Sequence, residues 1–105
     1  SRLVDFEQKE HYTAQDLVRI VSLLRDPVKA ARDKEQTHQS IRSNFIEETY
    51  EALEAIDLGD AHLLEEELGD VLLQVALHCQ MEAEKGVFDF DSVCDGICKK
   101  LIYRH

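Results

Sequence analysis

The chain has 105 residues, enough for one domain with a single modest core. Its 22 acidic residues against 12 Lys and Arg give a formal net charge of −10, which opposes contact with a nucleic-acid backbone. Hydrophobic residues make up 44%, a globular composition, and no apolar run approaches the ~20 residues needed to cross a bilayer.

One Pro, four Gly and no Trp point to long helices with few turns. The start, Ser1-Arg2-Leu3-Val4-Asp5, lacks the apolar centre of a secretory signal. An initial Ser without Met suggests a processed or excised piece. Residues 1–12 are polar and mixed, and read as a lead-in or linker to a domain over 13–105. Thr13 followed by Asp16 predicts a helix start with a capping box. Leu17, Ile20, Val21 and Leu24 then recur at helical spacing, to about Arg25, before Pro27. The mixed-charge stretch from Asp26 to Gln36 reads as a loop.

A second helix is expected from about Thr37–Ser40 to about Asp57. At about 100° per residue, Ile41, Phe45, Thr49, Ala52, Leu53 and Ile56 share one broad face. Glu48 and Glu51 fall at its edge, while Glu47 and Glu54 point further round. A third helix, about Ala61 to Lys85, is apolar nearly all the way round from Val71 to Cys79. Such girth predicts burial on most sides, partly against another subunit. Gly86 suits a C-terminal cap, and Asp89 or Asp91 suits the N-cap of a fourth helix through Val93, Ile97 and Leu101. Cys79, Cys94 and Cys98 show no zinc-ligand spacing, and are expected to be buried reduced thiols in a cytoplasmic protein.

The chemistry concentrates in Glu47-Glu48-Thr49-Tyr50-Glu51 and Glu67-Leu68-Gly69-Asp70. Each lies in a helical run, and the short break Leu58-Gly59-Asp60 makes those runs pack antiparallel. Acids three residues apart on two facing helices suit a hard divalent cation, which takes oxygen ligands. Asp70 is followed by Val71-Leu72-Leu73 with no Lys or Arg nearby, and a carboxylate among apolar residues needs a partner or a metal. Glu35-x-x-His38 is a single copy of a motif that di-iron bundles use twice, so redox iron is disfavoured. His78 reads as a core or interface histidine. Lys99, Lys100 and Arg104 either complement the end of the fourth helix or bind phosphate.

Asp33-Lys34-Glu35-Gln36-Thr37-His38-Gln39-Ser40 resembles the leading segment of MazG-type nucleoside triphosphate pyrophosphohydrolases. Glu47-Glu48-x-x-Glu51 with Glu67-x-x-Asp70 resembles that family's metal motif. Leu72-Leu73-Gln74-Val75, Phe88-Asp89 and Lys100-Leu101-Ile102 with Arg104-His105 continue the similarity, which spans about Leu17 to His105. The resemblance implies an all-α, four-helix bundle-like fold that dimerises through its central helices. It implies Mg²⁺-dependent hydrolysis of nucleoside triphosphates to monophosphate and pyrophosphate, with Mn²⁺ as a substitute ion. Glu48, Glu51, Glu67 and Asp70 would be the metal ligands, and Glu47 a further ligand or a group orienting the attacking water. Lys34, Lys100 and Arg104 would bind substrate. The partners implied are the nucleotide and a second copy of the chain in a homodimer or higher oligomer, with no nucleic acid or membrane. Some relatives carry this module behind a tetrapyrrole-methylase-like domain, a fusion that the lead-in would suit. One departure stands out: Ala30-Ala31-Arg32 precede Asp33 where the family usually has Cys-Pro-Trp. A non-catalytic helical module that binds metal or a partner is the alternative that this departure favours.

Overall fold

Residues 6–26 and 36–104 are described by a computed structural model. Among them are four helices and no strand: α1 (Ala14–Leu24), α2 (Arg42–Leu58), α3 (Ala61–Glu84) and α4 (Phe90–Tyr103). The all-α expectation therefore holds. Residues 1–5, the Ala30-Ala31-Arg32 departure and Lys34 lie outside the described residues.

The start of α1 follows local hydrogen bonding. Thr13 Oγ1 accepts from the Asp16 amide while the Asp16 carboxylate accepts from the Thr13 amide, the reciprocal capping box that the sequence predicts. Lys9 Nζ then reaches both Asp16 oxygens at 2.7 and 2.8 Å, and the Arg19 guanidinium lies over the Phe6 ring. Residues 6–12 thus fold back along α1. At its far end, Arg25 is buried and makes a two-pronged ion pair with Glu84 of α3, at 2.9 and 3.1 Å. A third bond from Arg25 Nη1 to the Gln36 carbonyl holds the chain where it re-enters the described structure. This pair is absent from the sequence reading because it joins residues 59 apart.

The second helix begins two to five residues later than the expected start at Thr37–Ser40. Thr37 and Ser40 cap each other in a turn, with each amide donating to the other's hydroxyl, and regular helix starts at Arg42. Gly59 ends α2 at φ 66°, the left-handed region that glycine enters without a Cβ penalty. Asp60 immediately caps α3 by accepting from the Leu63 amide at 3.0 Å. A two-residue reversal of this kind forces α2 and α3 into an antiparallel pair, the most extensive packing in the structure.

The buried core comprises Val21, Ile41, Ala52, Ala55, Ala76, Cys79 and Met81. On α2 this corrects the expected face: Ala52 and Ala55 are inside, while Leu53 and Ile56 are exposed. Alanines let the two helix backbones approach closely, and the larger side chains are turned outward. On α3, Gln74, Ala76, Cys79 and Met81 are buried but Leu72 is exposed, so one protomer does not enclose the apolar girth. The fourth helix has the Asp89–Ser92 capping box, leaving Asp91 to accept from Gln15 of α1 at 3.2 Å. No residue of α4 is buried, and Val93, Ile97, Leu101 and Ile102 are exposed. The expectation of three buried thiols is corrected likewise: Cys79 is buried, Cys94 and Cys98 are exposed.

Candidate metal centre

The antiparallel reversal brings the two acidic pairs together. Glu48, Glu51, Glu67 and Asp70 each offer one carboxylate oxygen, and these four atoms lie within 4.8 Å of one another. The pairing follows from register, since Glu51 on α2 meets Glu67 on α3 while Glu48 meets Asp70 one turn further on. Further from the reversal, Phe45 stacks on His78 and His38 bonds to Glu82, which continues the same register.

Electrostatics and burial give this cluster its character. One oxygen of Glu48 and one of Glu67 are buried with no hydrogen-bond partner among the described residues. Burial pushes both carboxyls above their ordinary range, and the neighbouring Glu51 and Asp70 charges push in the same direction. Repelling acids with unpartnered buried oxygens are unfavourable as they stand, and oxygen donors in a group of four suit Mg²⁺ or Mn²⁺. The residues present therefore fit a divalent ion. Glu47 lies outside the cluster and is exposed, although its charge also acts on Glu48. Lys100 and Arg104 are exposed on α4 and make no side-chain ion pair among the described residues, whereas Lys99 pairs with Asp95 at 2.9 Å.

Sequence reasoning missed a second polar group on the same seam. His38 Nδ1 and His78 Nδ1 stand 2.6 Å apart, and His38 Nε2 bonds to Glu82. Gln74 lies one turn from His78 and is 6% exposed, and its Oε1 and the His78 Nε2 are also buried without partners among the described residues. The available signal was the spacing Asp70, Gln74, His78, Glu82, four polar residues at i, i+4 intervals in an apolar helix.

Residues 36–105 match the family described as the MazG nucleotide pyrophosphohydrolase domain. The chain belongs to that family. This MazG domain is 45% identical over 91 residues to the nucleoside triphosphate pyrophosphohydrolase/pyrophosphatase MazG of Thermotoga maritima, covering 87% of this chain and 36% of that one. It is 47% identical over 90 residues to a nucleoside triphosphate pyrophosphohydrolase of Escherichia coli K12, covering 85% and 34% respectively. To the uncharacterized protein YabN of Bacillus subtilis it is 51% identical over 86 residues, 82% of this chain and 18% of that one. The MazG domain thus spans from 18% to 36% of the length of these relatives. No helix among its described residues is long and apolar enough to cross a membrane.

Proposed function

We propose that this MazG domain hydrolyses nucleoside triphosphates to the monophosphate and pyrophosphate, using Mg²⁺ held by Glu48, Glu51, Glu67 and Asp70. The observation that carries the reading is the meeting of four carboxylates on facing helices, two of them with buried unpartnered oxygens. Family membership and the activities for which the Thermotoga and Escherichia relatives are named support the same chemistry.

When bound, the ion supplies neutralisation of phosphate charge and a place for the attacking water. The chain's own part is preorganisation. Glu48 and Glu67 are aimed by their helices before substrate arrives, so little side-chain ordering remains to be done. Exposed Glu47 borders the cluster and serves to orient water. Lys34, Lys100 and Arg104 are the substrate-binding cations of this reading, with Lys100 and Arg104 making no ion pair among the described residues. Water adds to the α-phosphorus as the bond to pyrophosphate breaks, and the water proton leaves to solvent.

The domain is the 13–105 unit, preceded by a lead-in at 1–12, and it works as a homodimer or higher oligomer in the cytoplasm. A shallow groove on α3 lined by Ala61, Leu64, Glu65, Leu68, Gly69 and Leu72, together with the exposed apolar residues Val93, Ile97 and Leu101 of α4, supports association with a second copy. Fusion to a methylase-like domain in a longer chain fits the small share of YabN that is matched.

The test is hydrolysis over a panel of triphosphates with and without Mg²⁺, reading phosphate after added pyrophosphatase. Monophosphate and pyrophosphate as sole products, only with the ion, are expected. Release of single phosphate without pyrophosphatase, or no turnover of any triphosphate, would refute the reading.

A further inference from the structure

Four buried side-chain atoms lack a hydrogen-bond partner among the described residues: Glu48 Oε2, Glu67 Oε2, Gln74 Oε1 and His78 Nε2. All four lie along the seam between α2 and α3. On α3, Glu67, Gln74 and His78 fall within about 40° of one another at 3.6 residues per turn. With a rise of 1.5 Å per residue, Gln74 sits about 6 Å and His78 about 12 Å along the axis from Asp70. That is the scale of the distance from the phosphates of a nucleotide to its sugar and base.

The hydrogen-bond chain behind His78 decides what its free nitrogen can do. His38 holds the Glu82 carboxyl below its usual range, helped by Lys85, so Glu82 is ionised and only accepts. His38 Nε2 therefore carries a hydrogen, and the other ring nitrogen, Nδ1, shares a hydrogen bond with His78 Nδ1. Where the hydrogen shared by the two Nδ1 atoms sits on His78, His78 Nε2 is left with a lone pair and accepts. Burial pushes the His78 pKa down, in keeping with a neutral ring. Gln74 Oε1 is an acceptor as well. Two buried acceptors on one helix face call for a partner that brings hydrogen-bond donors.

We infer that Gln74 Oε1 and His78 Nε2 recognise donor groups of the nucleoside, a base amine or imine or a ribose hydroxyl, while the four carboxylates hold its phosphates through the ion. His38 and Glu82 are positioning residues that fix the His78 tautomer. The inference rests on the pyrophosphohydrolase reading. Both acceptors are screened from water in the free protein, so the seam opens by side-chain movement as the nucleoside enters.

The experiment is calorimetric titration of the wild-type chain, in Mn²⁺, with α,β-imido analogues of ATP and GTP. The 2′-deoxy forms of both and the analogue of purine riboside triphosphate, which lacks base donors, complete the panel. Loss of the base donors or of the 2′-hydroxyl should weaken binding at least ~10-fold, the scale set when a buried polar site is left unpaired, and which of the two matters separates base from ribose. That preference should vanish in Gln74→Met or His78→Phe with Mn²⁺ affinity unchanged. Long-range proton–nitrogen correlation should show His78 with its hydrogen on Nδ1 in wild type, and a tautomer mixture in Glu82→Leu. Equal binding of all analogues by wild type overturns the inference even if the variants fail to fold, as does a preference that survives both substitutions. Wild type that binds Mn²⁺ but no nucleotide analogue overturns the pyrophosphohydrolase reading, and the inference with it.

Discussion

Glu48 on α2 and Glu67 on α3 each bury one carboxylate oxygen without a partner, and both face the same space between the helices. Among the described residues neither Lys nor Arg pairs with them. Their repulsion is built into the fold by the Gly59–Asp60 reversal, because the register that buries Ala52 and Ala55 also sets these acids opposite one another.

A divalent ion should therefore stabilise the folded chain. Binding only to the native state contributes about 2.7 kcal/mol at a hundredfold excess over Kd. Thermal unfolding should show a higher Tm in Mn²⁺ or Mg²⁺ than in chelator. Glu48→Gln should melt above wild type in chelator, since it removes one repelling charge, and should lose most of the ion-induced shift. An ion-independent Tm in wild type would argue against the site.

Gly59 tests the link between turn and site. Its φ of 66° is strained for any residue with a Cβ, yet an added Cβ would meet nothing within 4 Å. Gly59→Ala should thus destabilise by about 1 kcal/mol through backbone conformation alone. For a domain of this size that lowers Tm by roughly 4–8 °C. Mn²⁺ affinity measured by calorimetry should stay near wild type, because the remaining α2–α3 packing holds the register.

Much of this was legible in the chain because helix caps and apolar spacing are local. Thr13–Asp16, Gly59, Gly86 and Asp89 each act within a few residues, and the carboxylate pairs follow from spacing plus one tight turn. Periodicity finds a stripe but does not say which part of it meets a neighbour. Hence Leu53 and Ile56 were expected inside, where close helix approach admits only Ala52 and Ala55. The Arg25–Glu84 pair depends on tertiary register between distant residues and no local pattern announces it, while the i, i+4 row on α3 marks His78 and Glu82 but not their partner His38. Exposure of Cys94 and Cys98 likewise depends on which face of α4 packs against the rest of the chain, which the spacing of apolar residues does not state.

Acid should act on the α1 start through Asp16. The Lys9 ammonium, then the Thr13 amide, lower its carboxyl below the ordinary 3.8 against the opposing effect of burial. A carboxyl depressed in the folded state stabilises fully above its unfolded pKa, and that contribution is lost as pH falls through the folded value. Asp16→Asn should therefore melt below wild type at pH 7, and the gap should narrow as pH falls below 3.8. A gap that stays constant between pH 7 and pH 2.5 in circular-dichroism melts would show that the Asp16 charge contributes nothing.

The exposed faces of α3 and α4 make a prediction about assembly. Leu68, Leu72, Val93 and Ile97 are large apolar residues that a lone protomer leaves in water. Sedimentation equilibrium at micromolar concentration should give a dimer or higher oligomer. Leu72→Glu with Ile97→Glu should shift it to monomer, because burying two charges at an apolar interface is strongly opposed. A wild-type monomer would contradict the proposed association.

Catalysis places the strictest demand on the carboxylates. Glu48→Gln and Asp70→Asn preserve shape while removing a charge, so lost turnover could not be assigned to packing. Each should lower kcat for the cleaved triphosphate by at least ~10²-fold, the scale seen when one electrostatic stabiliser of a transition state is removed. Glu47→Gln should cost less, since Glu47 is exposed and outside the group of four. KM changes alone would assign these acids to ground-state binding. Near wild-type turnover in both Glu48→Gln and Asp70→Asn would mean that the reaction occurs elsewhere on the chain. Circular-dichroism melts in chelator complete the control: these variants should be folded and at least as stable as wild type, because each relieves repulsion among neighbouring carboxylates.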